Sequence, residues 1–144
     1  MLGLIRSAAV AVGTTSVAIL ALSRRETAHP FAAFNAVSQM IWGEEAVAQD
    51  GFSLRHTVVG VACMAGALSG WATIATVLAG RRPSSARAVA SGVAAAGLAY
   101  AIDYHVVPPR LRPGIERRLS PRAVELTFGA LAAGLVAGQL LRAR

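Results

Sequence analysis

Four long apolar runs, at 7–22, 57–80, 88–102 with an extension to 107, and 123–141, alternate with short charged segments. A bilayer core of about 30 Å takes about 20 helical residues at about 1.5 Å each. The second run is long enough, and Cys63 is its only ionisable group. The fourth carries one acid, Glu125, near its start. The third reaches spanning length if Asp103 and His105 occupy its last turn, and the first needs its flanks. The pattern predicts an all-α, four-helix transmembrane bundle forming one integral membrane domain over 1–144. Its spans fall at about 5–22, 57–80, 88–107 and 123–141. A signal peptide is the alternative for the first run, with Arg6 before it and a small-residue site at Ala21-Leu22-Ser23. Arg24 and Arg25, which follow at once, suit an uncleaved anchor better.

A fifth segment, 30–43, has no ionisable group but is too short to span. Proline suits the first position of a helix and glycine its exit, which frames a helix over about 30–42. Helical spacing puts Phe31, Phe34, Val37 and Ile41 on one stripe and Asn35, Ser38, Gln39 and Trp42 on a second, polar but uncharged one. That is the pattern of a short interfacial or re-entrant helix whose amides and hydroxyls face protein or water. Pro108-Pro109 ends the third span, Pro113-Gly114 makes a turn, and Ser120 followed by Pro121 is a cap and first position for the fourth.

If all four runs cross, alternate loops share a side. Side A holds the N-terminus, the 81–87 loop and the C-terminus. Side B holds 24–56 and 103–122. All seven acids and all three histidines then lie on side B or at its membrane edge, and side A carries arginine alone. The arginines divide almost evenly, so the positive-inside count is close to a tie. The purely basic short loop of side A points to cytoplasmic termini, and the arginines crowded into 110–122 favour the reverse. Fourteen basic residues, every one arginine, give a net charge of +7. Because they flank apolar spans they suit lipid phosphate, and nucleic acid is not an expected partner. One cysteine inside a span forms no intrachain disulfide and reads as a small hydrophobe.

Helix-packing glycines and alanines recur at Gly66 and Gly70, at Gly92 and Ala96, and at Ala130, Gly134 and Gly138. They are expected to let the helices of one bundle approach closely, a homodimer face being the alternative.

The segments Phe34-Asn35-Ala36-Val37-Ser38, Trp42-Gly43-Glu44, Asp103-Tyr104 and Val107-Pro108-Pro109-Arg110-Leu111-Arg112-Pro113-Gly114-Ile115-Glu116 resemble the YagU-like family of small four-span bacterial inner-membrane proteins. The resemblance implies a multi-pass inner-membrane protein and no established activity. It also implies histidine where this chain has Gln39. That departure, at a position that could have held a ligand, weakens any shared chemistry.

The candidate chemistry lies on side B. His56 and His105 reach the same membrane depth, so a bis-histidine haem or a metal site with Asp103 can be drawn. Asp103 and His105, two apart on a helix, are rotated by roughly 200°, and both histidines look interfacial, so no cofactor or metal is expected. Asp103 and Glu125 are the acids at span positions. They are expected to join Arg122, Arg118 or Arg55 in an interfacial ion-pair network, the alternative being a proton relay through Asp103, His105 and Glu125. One or two of Arg110, Arg112, Arg117 and Arg118 are expected to dock on Glu44, Glu45 or Asp50, with the other arginines on lipid phosphate. No phosphate loop, nucleophile elbow, HExxH or metal-spaced cysteine pair occurs, so the chain does not read as an enzyme. It reads as an accessory or scaffold protein in the lipid bilayer that meets another membrane protein, or itself, through one polar face. That face comprises His29, Asn35, Ser38, Gln39, Trp42, Glu44, Glu45, His56, Asp103, His105, Arg110, Arg112, Glu116 and Glu125. An oligomeric small-solute or proton-coupled transporter is the alternative.

Overall fold

In a computed structural model that describes residues 1–143, every regular element is helical. α1 is Leu2–Thr27, α5 Val59–Ala79, α6 Ser85–His105 and α7 Pro121–Ala143; between α1 and α5 lie the short α2 (Ala32–Val37), α3 (Gln39–Trp42) and α4 (Glu44–Val47). A single wide turn, Leu54–Val58, leads into α5, with the Val58 N–H reaching five residues back to the Ser53 carbonyl at 3.4 Å. Two 3-10 turns, Pro109–Leu111 and Ile115–Arg117, shape the loop before α7. The four long helices, α5 taken with its leading turn, are long and apolar enough to cross a membrane, which makes this a multi-pass helical membrane protein. α1 and α7 run beyond the expected spans at both ends, whereas α5 with its leading turn and α6 begin earlier than expected and stop slightly short, at Ala79 and His105. The 26 residues of α1 extend about 39 Å, so its last turns stand above the hydrocarbon on side B.

The helices form a ring in which α1 lies between α5 and α7, and α6 lies between the same two on the other side. Close approach at small residues explains the tight half of that ring. A Cβ on Gly138 would stand 2.8 Å from the Ser7 Cα, one on Gly134 2.9 Å from the Ala11 Cα, and one on Gly92 2.7 Å from the Val136 backbone nitrogen. Without water to drive helices together, such backbone proximity supplies their attraction. Gly66 and Gly70 behave differently from expectation: nothing lies within 4 Å of a Cβ at either. Met64, Leu68, Ala72 and Ala75 fill the inward face of α5, so the 66/70 pair faces outward.

One polar cluster pins α1, α5 and α7 near side A. Gln139, fully buried, donates from Nε2 to Ser7 Oγ and Thr76 Oγ1, each at 3.1 Å. Its Oε1 accepts from Arg142, whose other nitrogen donates to the Gly80 carbonyl at 3.3 Å.

The 30–42 segment departs from a simple amphipathic helix. It breaks at Ser38 into α2 and α3, and all of residues 32–39 are buried rather than lying on a surface. Two glycines admit it. A Cβ on Gly60 would sit 1.9 Å from the Phe34 carbonyl oxygen, and one on Gly114, where φ is +82°, 2.3 Å from that of Ala36. Ser23 ties α2 to the end of α1, donating to the His29 carbonyl at 2.7 Å and accepting from the Ala33 N–H at 3.1 Å. Chain ends follow local chemistry: Ser120 caps α7 by accepting from the Ala123 N–H at 3.2 Å, with Pro121 first in the helix.

Candidate functional site: the polar cap and its groove

Burial of α2 turns its polar stripe inward. Asn35, fully buried, donates from Nδ2 to the carbonyls of Gln49 and Gly51 at 3.0 and 2.9 Å and accepts at Oδ1 from the Thr57 hydroxyl at 2.5 Å. Ser38 donates to the Asn35 carbonyl at 2.7 Å. Gln39 donates to the Arg112 carbonyl at 3.2 Å and accepts a long 3.5 Å contact from Arg117. Asn35 and Ser38 are therefore spent on holding the cap together and present no face to a partner. Gln39, also buried, still shows an edge to the groove described below.

The two side-B loops dock, as expected, through two arginines. Arg117 grips Glu44 with both terminal nitrogens, at 2.5 and 2.7 Å. Arg118 donates to the Val47 carbonyl at 2.6 Å and pairs with Asp50, which His29 also approaches at 3.8 Å. Arg110 and Arg112 pair with no acid among the described residues; Arg112 Nε donates to the Val107 carbonyl at 3.3 Å. A third clasp was not foreseen: both Glu26 oxygens accept from Ser120, one from its N–H and one from its hydroxyl, each at 2.7 Å. Glu45 turns the other way, to Arg55 at 3.3 Å and His56 at 3.4 Å. That second contact lacks the alignment of a hydrogen bond, which leaves the buried His56 Nε2 without a hydrogen-bond partner among the described residues. Trp42 donates to the Arg55 carbonyl at 3.0 Å while the Arg55 guanidinium lies 4.4 Å above its ring.

The hydrogen bonds from Arg117 hold the Glu44 carboxyl below its ordinary value of 4.5, and those from Arg118, with a smaller pull from His29, hold Asp50 below 3.8. A depressed carboxylate contributes stability above its unfolded value and loses it as pH falls through the folded one. The unfolding midpoint in detergent should therefore stay level from about pH 7 to about 5 and drop below that; in Arg117→Gln the drop should shrink. An equal drop in both proteins would detach it from the Glu44–Arg117 pair.

The expected network for Asp103 and Glu125 does not form. Neither has an ion pair among the described residues: Arg118 is taken by Val47 and Asp50, Arg55 by Glu45 and Trp42, and Arg122 pairs with no acid. Glu125 lies exposed in the outer crevice between α6 and α7, beside Gly97 and Tyr100. Asp103 instead lines an interior cavity. The exposed His105 has its ring centre 6.1 Å from that of Tyr100, and His56 is buried against Ser53, with Nδ1 3.2 Å from the serine hydroxyl. The relay residues thus occupy separate places. No group of three or more His, Cys, Asp or Glu converges among the described residues in a way that could hold a metal ion.

An open groove of about 600 Å³ gathers five residues of the expected face, Gln39 and Glu44 from the first loop and Arg110, Arg112 and Glu116 from the second, and adds Arg117. The prolines set its second wall, since Pro108, Pro109 and Pro113 restrict the backbone on either side of the arginines. Alternation along that wall matters. Arg110, Arg112 and Glu116 line the groove, whereas Leu111, Pro113 and Ile115 line the cavity. Tyr104 steadies Glu116 with a 3.3 Å hydrogen bond. No family model matches the chain, and no curated protein or solved structure gives a significant match.

Proposed function

We propose that the protein is a non-catalytic accessory or scaffold protein of the bacterial inner membrane, with both termini in the cytoplasm, that engages another membrane protein through the side-B groove. The observation carrying this reading is that two loops far apart in sequence are clasped into one wall-and-floor unit while Arg110 has no acidic partner among the described residues. A rigid surface binds without the cost of ordering loops, which suits recognition. The basic 81–87 loop and the YagU-like resemblance support the stated orientation and location. A transporter needs ionisable groups strung along one path, and Asp103, His105 and Glu125 are dispersed.

A photoreactive residue placed at Arg110 in living cells should give one discrete crosslinked species that Arg112→Glu abolishes. The same residue at Val77, which is lipid-facing and 74% exposed, should give none. Identical patterns from both sites, or none from the groove, would remove the scaffold reading. Reporter tags should place 24–56 and 103–122 on one side and 81–87 on the other.

A further inference from the structure

Beneath the 109–115 turn, all four long helices surround a cavity of about 130 Å³. Its walls are apolar: Met40, Met64, Leu68, Trp71, Phe128 and Leu131. Two side-chain oxygen groups without a partner interrupt them, while the hydroxyl of a third, Thr127, is already bonded to the Ala123 carbonyl. Thr15 is 3% exposed, and its hydroxyl has no hydrogen-bond partner among the described residues. Other threonines in the long helices avoid that state by donating to the carbonyl four residues back, as Thr14, Thr73 and Thr127 do. The second group is Asp103, half-buried at the rim, with neither an ion pair nor a hydrogen bond donated to its carboxylate among the described residues. A carboxylate in an apolar wall calls for a positive partner, and no arginine among the described residues serves it. Arg110 and Arg112 stand on the groove face of the loop, away from the cavity.

We propose that this cavity is a binding site for a small lipophilic ammonium ion, whose charge rests on Asp103 and whose apolar body lies between Trp71, Met64 and Phe128. Aromatic faces and a carboxylate together attract a cation that sheds its water, which neither does as well alone. The volume accommodates a single ring, since an apolar protein cavity of about 150 Å³ takes up benzene, and the ammonium head stays at the rim beside Asp103. Ala67, in the middle of α5, and Leu111, at the turn, both line the cavity and are exposed, so the opening faces the bilayer and a solute dissolved there enters sideways. The unpartnered Thr15 hydroxyl at the inner end accepts or donates one hydrogen bond and selects a ligand with a polar atom there over a plain hydrocarbon.

Cys63 lines the same cavity and is the only cysteine, which gives a direct readout. With the full-length protein in lipid nanodiscs, its labelling by N-ethylmaleimide is timed in the presence of benzyltrimethylammonium or of neopentylbenzene, the neutral compound of the same shape. Benzyltrimethylammonium should slow labelling saturably in the natural protein. In Asp103→Asn the concentration needed should rise at least about tenfold, while Asp103→Glu, which keeps the charge, should retain protection. Neopentylbenzene should act alike on natural and Asn proteins, which cancels its partitioning into lipid. Protection by the neutral compound with none by the ammonium would mean an apolar pocket filled by lipid chains, and the proposal fails. It fails equally if the ammonium protects the Asn variant as well as the natural protein, or protects neither. Unchanged labelling without ligand shows that each variant is folded.

Discussion

Gly60→Ala should be the most damaging single-methyl change in this chain. The added carbon would stand 1.9 Å from the Phe34 carbonyl oxygen and 2.9 Å from its carbon, and both are backbone atoms. No rotamer change relieves such a contact, so α2 must move as a unit. It is held at Ser23, Asn35 and Gly114, and residues 32–39 are wholly buried. Overpacking typically costs about 1–3 kcal/mol, and backbone on both sides puts this case at or above about 3. Denaturant titration in mixed micelles should show a fall of that size. Gly66→Ala and Gly70→Ala are the controls on the same helix. With nothing within 4 Å, they should be neutral or gain up to about 1 kcal/mol from helix propensity. If all three variants behave alike, α2 does not dock where the structure places it.

Asn35→Leu is expected to cost about as much by a different route. Its amide serves two carbonyls, of Gln49 and Gly51, and its oxygen takes the Thr57 hydroxyl, which itself accepts from the Ser53 N–H at 2.9 Å. Leucine has similar bulk but deprives two carbonyls of their Asn35 donor and the Thr57 hydroxyl of its acceptor, each costing about 1–3 kcal/mol where water is excluded. A loss of about 3–5 kcal/mol follows, tempered by water reaching the two carbonyls, which lie in the loop. Asn35→Asp separates the parts: it keeps the acceptor for Thr57 and loses both donors, so it too should destabilise. Protease sensitivity of 43–53 should rise with it, because α4 and its exit are held by those donors. A stable Asn35→Leu protein with an unaltered loop would show that the amide is dispensable and that Asn35 belongs to a binding face after all.

The large-scale plan was legible because a bilayer leaves few solutions: an apolar run must be helical to satisfy its own backbone, and about 20 residues fix its span. The same holds for ends set by local chemistry, as at Ser120-Pro121 and the Pro113-Gly114 turn. Docking of the loops was legible in kind, from opposite charges on one side and prolines that stiffen one partner. Which arginine meets which acid was not: Arg117 and Arg118 pair, and Arg110 does not. Side-chain direction along a loop depends on backbone torsions that residue types do not encode, and here alternate residues of 110–116 face opposite ways.

Periodicity also left open which side of a stripe faces protein. Asn35 and Ser38 look like a presented face in sequence and are interior braces in the fold, because Gly60 and Gly114 admit α2 to a depth that no hydrophobic pattern announces. Gly66 and Gly70 look like packing residues and face outward, whereas Gly134 and Gly138 do the packing. Sequence by itself determined the number of long helices, their membrane fit and the sorting of charge, since these follow from transfer free energies summed over long segments. Only the tertiary structure decided the partners, the groove and the cavity around Asp103, because those depend on helix rotations and on contacts between residues far apart in the chain, at distances where one carbon atom changes the outcome.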